Sequence, residues 1–256
     1  MPLTDTAIKK AKPGANPIKL SDGKGLYLLL NPVGSFMIES ELSLRESICR
    51  VGRSLYQRGY VHATAGNISV RHGAGFIITP TDACLGDLRP ERLAAVDASG
   101  GQLSGEPASK TLALHRRIYA CAPEASCVIH THSHHLVALT LQGVWQSDDI
   151  LPPLTPYYVM KVGHVPLVPY HRPGDSQVAD LVASLIERYA ARGTPIRAVM
   201  LDRLGPNVWH RTVEQASAVL EELEETARLW LACGREAAAL TDPQIEQLRA
   251  SFGAAW

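Results

Sequence analysis

Two histidines end a short apolar run near the middle of the chain, in the stretch VIHTHSHH. Alternate side chains of a β-strand lie on the same face, so His130 and His132 would present two imidazoles side by side. Imidazole nitrogen is a common ligand of zinc and other divalent ions. The spacing therefore favours a metal site at the end of a strand. The alternative is a pair of hydrogen-bonded or surface histidines, which is also how we interpret His134 and His135.

Three stretches rich in small hydroxylated residues could bind an oxyanion. They read HATAGNISVR, ITPTD and ASKT, and each lies in or beside a predicted strand or loop. Hydroxyl, amide and backbone N–H groups together can surround a phosphate or a carboxylate. A single stretch of this kind could equally be an ordinary turn. Three such stretches in a chain that also carries the histidine pair favour an anion-binding site.

The elements that must position these residues follow from the apolar pattern. Ser43, with Glu46 three residues later, marks a helix start, and an apolar stripe predicts a long last helix from Thr212 to about Cys233. Further helices are predicted within 109–121, from residue 134 and over 175–193. Between them lie short β-type runs: GNISVR, GFIITP, SCVIHTHS, VPLVPY and RAVML. This alternation predicts one α/β domain whose helices cover a mixed sheet.

Bulk properties exclude several classes of partner. The 256 residues carry 25 basic and 25 acidic side chains, so no net field favours nucleic acid or an anionic membrane. Five scattered cysteines form no C-x-x-C motif, which indicates reduced thiols. No apolar run has the length of a membrane span or of a signal peptide core. We therefore expect a cytoplasmic protein without nucleic-acid or membrane partners.

The first 36 residues differ from the rest of the chain. They are rich in lysine, proline and glycine, and their stretch LSDGKGLYLLLNPVGS resembles the start of the N-terminal domain of phage-type tyrosine integrases. The resemblance ends near Ser35, before the remaining strands of such a domain. We expect residues 1–36 to be a poorly packed extension and residues 37–256 to form the working domain.

The order of motifs in the working domain resembles the class II aldolase/adducin family. The stretches are TAGNISVR, ITPTD, SGEPASKTLALHRRIYA and APEASCVIHTHSHH, within a resemblance that covers about residues 40–235. The later stretches ILPPLTPYYVMKVGHVPLVPYHRPGD and EELEETARL are similar to the branch that decarboxylates 3-oxo-tetronate 4-phosphates. That branch differs from the sugar-phosphate aldolases of the same family.

The resemblance implies a fold, an assembly and a set of site residues. It implies a three-layer α/β/α domain with a mixed, largely antiparallel sheet, a homotetramer with sites between subunits, and a divalent metal, usually zinc. It assigns the metal to His130 and His132. Matched to the substrate phosphate are Thr64, Asn67, Thr81 and Ser109, while Lys110 would pair with the phosphate or with the departing carboxylate. Tyr157 is the implied proton donor, with packing at an interface as the alternative.

Two residues depart from the family pattern. Thr111 occupies the position of the catalytic glutamate, and Leu204 that of the third metal-binding histidine. Retro-aldol cleavage needs a base to remove a hydroxyl proton, whereas a β-keto acid is already ionised and needs only an electron sink and later protonation. We therefore expect decarboxylation of 3-oxo-tetronate 4-phosphate to dihydroxyacetone phosphate and CO2.

Other interpretations of the site and of the function also fit the sequence. The missing metal ligand could be water or one of three further histidines: His135, His164 or His171. Lys110 could instead act as an amine that forms an imine with the ketone. The two departures also fit an adducin-like scaffold without catalytic activity, and a sugar-phosphate aldolase is the third possibility.

Overall fold

The computed structural model describes residues 18–21, 26–30 and 36–256. Strands β1 (Ile18–Ser21), β2 (Leu26–Leu30) and β3 (Phe36–Ser40) form a small antiparallel sheet in that order. The expected boundary between residues 36 and 37 falls inside β3. The prediction that residues 1–36 pack poorly concerns side chains that the structure does not describe, so it stays a prediction.

Eight strands form the main sheet. They are β4 (Asn67–His72), β5 (Gly75–Ile78), β6 (Ala94–Val96), β7 (Gln102–Ser104), β8 (Cys127–His130), β9 (Leu167–Val168), β10 (Ala198–Leu201) and β11 (Gly205–His210). Their order is β7-β6-β5-β4-β8-β11-β10-β9. Neighbouring strands run antiparallel, except for β9 and β10, which are parallel. The prediction of a mixed, largely antiparallel sheet is confirmed.

One α-helix precedes these strands, and the others lie between and after them. They are α1 (Glu41–Gln57), α2 (Leu112–Cys121), α3 (His134–Gln142), α4 (Gln177–Ala191), α5 (Val213–Ala232) and α6 (Asp242–Phe252). The first helix begins two residues before the predicted cap, because Glu41 pairs with Arg45 one turn later at 2.7 Å. None of the helices in the described part of the chain has the length and apolar character that a membrane crossing requires.

The sheet separates two apolar clusters, which makes the domain three layers thick. Alternate residues of β8 divide between them: Ile129 belongs to the cluster under α1, α3 and α5, and Val128 to the cluster under α2 and α4. The alternation places His130 on the same face as Val128, toward α2 and α4. The expected α/β/α architecture is confirmed, and the histidine pair begins at the end of its central strand β8.

Candidate active site

His130 is the last residue of β8 and is held in one orientation. Its side chain is buried, and its Nδ1 lies 2.9 Å from the backbone carbonyl oxygen of Pro206 on β11. A carbonyl only accepts, so Nδ1 carries the proton and Nε2 keeps its lone pair. Burial, with a smaller contribution from His132, lowers the pKa of His130 to about 4. At neutral pH the ring is therefore neutral, as a metal ligand must be.

His132 follows at the end of the strand, and its ring lies beside that of His130. The two ring centroids are 5.1 Å apart, with the planes at 68°. Burial and the nearby His62 lower the pKa of His132. The structure thus brings together the two imidazoles that the H-x-H spacing singled out, both in the neutral form.

A third imidazole lies close by that the sequence did not indicate. The ring centroid of His62 lies 6.3 Å from that of His132, and the ring stacks on His134 at 5.9 Å. His62 is exposed and precedes Thr64 by two residues. His62 and His132 are 70 positions apart in the sequence, so spacing could not predict their contact. The sequence feature that could have indicated a role for His62 is its position beside the predicted anion-binding loop.

The residues present fit part of a metal site. His130 and His132 offer neutral nitrogens, one of them fixed by a backbone carbonyl in the way that metal-binding histidines usually are. Within residues 41–256, however, no group of three or more His, Cys, Asp or Glu is arranged to hold a metal ion. The further histidines considered as third ligands pair with carboxylates instead: His135 with Glu224, His164 with Asp149, and His171 with Asp175.

The three hydroxyl-rich stretches lie next to one another. The backbone N–H of Thr79 donates to the carbonyl of Ile68 at 3.0 Å, and that of Ser109 donates to the carbonyl of Thr79 at 3.2 Å. Thr81 donates in turn to the carbonyl of Pro107 at 2.9 Å. These bonds join the loops that carry Thr81 and Ser109 to the start of β4, where Asn67 lies. The prediction that the three stretches form one region is consistent with this arrangement.

Ser109, Lys110 and Thr111 immediately precede α2. The hydroxyl oxygens of Ser109 and Thr111 are 2.9 Å apart, and Lys110 is exposed to solvent. The positive end of a helix dipole and a nearby cation together suit a phosphate or a carboxylate. Lysines that form imines are typically desolvated, so the exposure of Lys110 favours ion pairing over amine catalysis.

A buried polar network lies behind the histidine pair. His115 on α2 has its Nδ1 2.8 Å from the hydroxyl of Ser69, which is 2.9 Å from the hydroxyl of Tyr119. Burial, with a smaller contribution from His130, lowers the pKa of His115 to about 3. His115 lies one turn after Thr111, so both residues are on the same side of the helix entrance. His115 lies within the helix predicted for residues 109–121, and its spacing in the sequence indicated no role.

Two glycines allow the neighbouring strands to close around the end of β8. A Cβ at Gly66 (φ +84°) would lie 2.8 Å from the carbonyl oxygen of His130, and one at Gly205 (φ +134°) would lie 1.9 Å from that of Thr131. Both positions also have a backbone conformation that favours glycine. Close approach of β4 and β11 to β8 therefore depends on these two residues.

The tyrosine pair predicted near the site divides between surface and core. Tyr157 is 62% exposed, whereas Tyr158 is fully buried and its ring packs on Trp256 at 5.6 Å. Burial raises the pKa of Tyr158 well above its usual range. Of the two, only Tyr157 is accessible to another molecule or subunit, and its role as proton donor stays a prediction.

The chain is similar to known proteins of one family. The family described as Class II Aldolase and Adducin N-terminal domain matches residues 46–231. The chain is 56% identical over 224 residues to the 3-oxo-tetronate 4-phosphate decarboxylase of Cupriavidus necator, covering 86% of this chain and 100% of that protein. Over 212 residues it is 42% identical to the protein of that name from Escherichia coli K12, covering 82% and 96%.

Solved structures agree with the sequence relatives. The crystal structure of YgbL from Klebsiella pneumoniae superposes with a TM-score of 0.76 at 41% identity, covering 82% of this chain and 100% of that one. An L-fuculose 1-phosphate aldolase superposes with a TM-score of 0.70 at 21% identity, covering 82% and 96%, and shows the shared fold. The chain belongs to the class II aldolase and adducin family.

Proposed function

We propose that this chain is a metal-dependent carbon–carbon lyase that decarboxylates 3-oxo-tetronate 4-phosphate to dihydroxyacetone phosphate and CO2. The observation that carries the proposal is the pair of neutral imidazoles, His130 and His132, 5.1 Å apart in a domain whose hydroxylated loops meet. Support comes from the 3-oxo-tetronate 4-phosphate decarboxylase of Cupriavidus necator. The match to this chain covers the whole length of that protein at 56% identity.

The substrate phosphate would bind at the joined loops. Thr64, Asn67, Thr81 and Ser109 would supply hydroxyl and amide groups there, and the positive end of the α2 helix dipole lies next to Ser109. Lys110 is free to reach toward either charged end of the substrate, since it is exposed at the start of the helix. This arrangement would hold the phosphate and orient the carboxylate at the same helix end.

The family is dependent on a divalent metal, and we propose zinc held by His130 and His132. When bound there, such an ion would act as a Lewis acid toward the substrate ketone. His130 would keep its orientation throughout, because its Nδ1 proton remains bonded to Pro206.

Thr111 explains why decarboxylation fits better than aldol cleavage. A hydroxyl cannot act as a general base near neutral pH, so the proton removal that aldol cleavage needs has no group at this position. In decarboxylation the bond between C1 and C2 breaks, CO2 departs, and C2 then accepts one proton. We assign that proton to Tyr157 of a neighbouring subunit in a homotetramer, in line with its exposed side chain.

We also propose that the protein acts in the cytoplasm. Its five cysteines are free thiols in the structure, and two of its relatives bear the name 3-oxo-tetronate 4-phosphate decarboxylase. Reduced cysteines are typical of that compartment.

A paired assay tests the function. The metal-loaded protein receives 3-oxo-tetronate 4-phosphate generated in place, and separately a ketose 1-phosphate such as fuculose 1-phosphate. We expect dihydroxyacetone phosphate and CO2 from the first substrate and no cleavage of the second. Cleavage of the second alone would make the chain an aldolase. No turnover, together with less than about a tenth of an equivalent of bound metal, would favour an adducin-like scaffold.

A further inference from the structure

Three strands place one polar residue each in a row across the main sheet. His130 on β8 pairs directly with Asn67 on β4 and with Asn207 on β11. Residues that face each other on adjacent strands point to the same side of the sheet. The row therefore consists of an imidazole between two amides, and all three side chains are buried, with Asn207 only 1% exposed.

Three amide atoms of this row have no hydrogen-bond partner among the described residues. Asn67 lacks one for its Oδ1, and Asn207 lacks one for both Oδ1 and Nδ2. Asn207 also extends from an apolar surface, since Trp209 and Val199 on the same side of the sheet belong to the core under α2 and α4. A buried amide without partners is unfavourable, so its presence beside His130 points to a group that binds there.

The unmet bonds define the chemistry of that group. The Oδ1 of Asn207 needs a donor, and its Nδ2 needs an acceptor. A bare cation would satisfy only the oxygen, and a carboxylate only the nitrogen. A hydroxyl group supplies a donor and an acceptor at one atom. In the substrate of the proposed reaction, a hydroxyl is carried by C2, directly between the ketone and the carboxylate.

We propose that Asn207 is a specificity-determining residue that binds the C2 hydroxyl of the substrate. The inference rests on the proposed function and deepens it, because it explains why a hydroxylated acid would be selected over its deoxy analogue. A site that hydrogen-bonds a substrate hydroxyl discriminates strongly against a ligand that lacks it, since the amide is then left unpaired.

Binding of two unreactive acids tests this. Tetronate 4-phosphate carries the C2 hydroxyl, and 3-hydroxybutanoate 4-phosphate lacks it; both have a reduced ketone and cannot lose CO2. Calorimetric titration of the metal-loaded wild type should show at least tenfold tighter binding of the hydroxylated acid. Leucine has nearly the same shape as asparagine but cannot form hydrogen bonds. In Asn207→Leu the affinities for the two acids should therefore agree within about threefold.

A matched control removes another buried polar group. Thr226→Val deletes a hydroxyl on α5, which packs on the other side of the sheet, and should keep the tenfold preference. Retention of the preference in Asn207→Leu would overturn the proposal. Equal affinities of the wild type for the two acids would also overturn it, and this measurement does not depend on whether a variant folds.

The outcomes also separate this inference from the function. A wild type that prefers the hydroxylated acid but releases no CO2 from the keto acid would support the role of Asn207 and overturn only the reaction. Failure to bind either acid, together with CO2 release from the keto acid, would overturn the role of Asn207 and leave the reaction standing.

Discussion

His130 donates its Nδ1 proton to the backbone carbonyl of Pro206, 2.9 Å away on the neighbouring strand. The bond fixes both the tautomer and the direction of the ring, and leaves Nε2 to coordinate. Gly205 precedes Pro206 and allows β11 to approach β8 closely enough for this contact. The candidate metal ligand is thus positioned by the backbone of an adjacent strand.

Loss of either imidazole should abolish metal binding. We expect His130→Ala and His132→Ala to retain less than about a tenth of an equivalent of zinc after metal-replete growth and dialysis, because one imidazole cannot hold the ion. Elemental analysis measures this. His171→Ala is the control, since His171 pairs with Asp175 elsewhere. Full metal content in both site variants would exclude the pair as ligands.

Lys110 should contribute to substrate binding. A hydrogen bond between a charged lysine and a phosphate or carboxylate contributes about 1.5–3 kcal/mol. Lys110→Ala should therefore lower kcat/KM by roughly 10- to 100-fold. Lys161→Ala removes a comparable exposed charge and should leave kinetics unchanged. Equal kinetics for both variants would place Lys110 outside the site.

Substitution by alanine should destabilise the fold far more at Gly205 than at a glycine that has open space around it. The Cβ of Gly205→Ala would lie 1.9 Å from the carbonyl oxygen of Thr131, so we expect a loss of about 3 kcal/mol in the free energy of unfolding. Gly174 has φ +80° but nothing within 4 Å, and Gly174→Ala should cost only about 1 kcal/mol. Urea unfolding compares them. Similar losses would show that backbone conformation, rather than strand contact, sets the cost.

His115 should make stability depend on acidity. Its pKa is about 3 in the folded chain and about 6.5 when unfolded, so the unfolded state binds the extra proton between these values. The contribution of His115 to the free energy of unfolding is therefore fully present above about pH 6.5. Between pH 6.5 and pH 3 it falls by about 1.4 kcal/mol for each pH unit of acidification. His115→Gln should lose that part of the slope in urea unfolding at pH 4–6. An unchanged slope would contradict the assignment.

Local patterns predicted most elements, whereas contacts between distant segments could not be read from the sequence. The layered fold and the pairing of His130 with His132 follow from periodicity along single elements. The approach of His62 and the position of Asn207 depend on which strands become neighbours, which periodicity does not specify. Helix α6 was missed although Thr241 and Gln244 form a capping box at its start.

The segment before residue 37 should be dispensable for the main domain. All strands of the eight-stranded sheet come from residues 67–210, so we expect deletion of residues 1–36 to leave folding, assembly and activity unchanged. Chemical unfolding and kinetics compare the two chains. A loss of more than about 2 kcal/mol, the scale of a core contribution, would show that the segment is part of the fold.

Release of labelled CO2 tests the central claim most directly. With 3-oxo-tetronate 4-phosphate carrying ¹³C in its carboxylate, the metal-loaded wild type should release ¹³CO2 at least a hundredfold faster than His130→Ala, with one dihydroxyacetone phosphate for each CO2. Release at the spontaneous rate by both folded proteins would contradict the account.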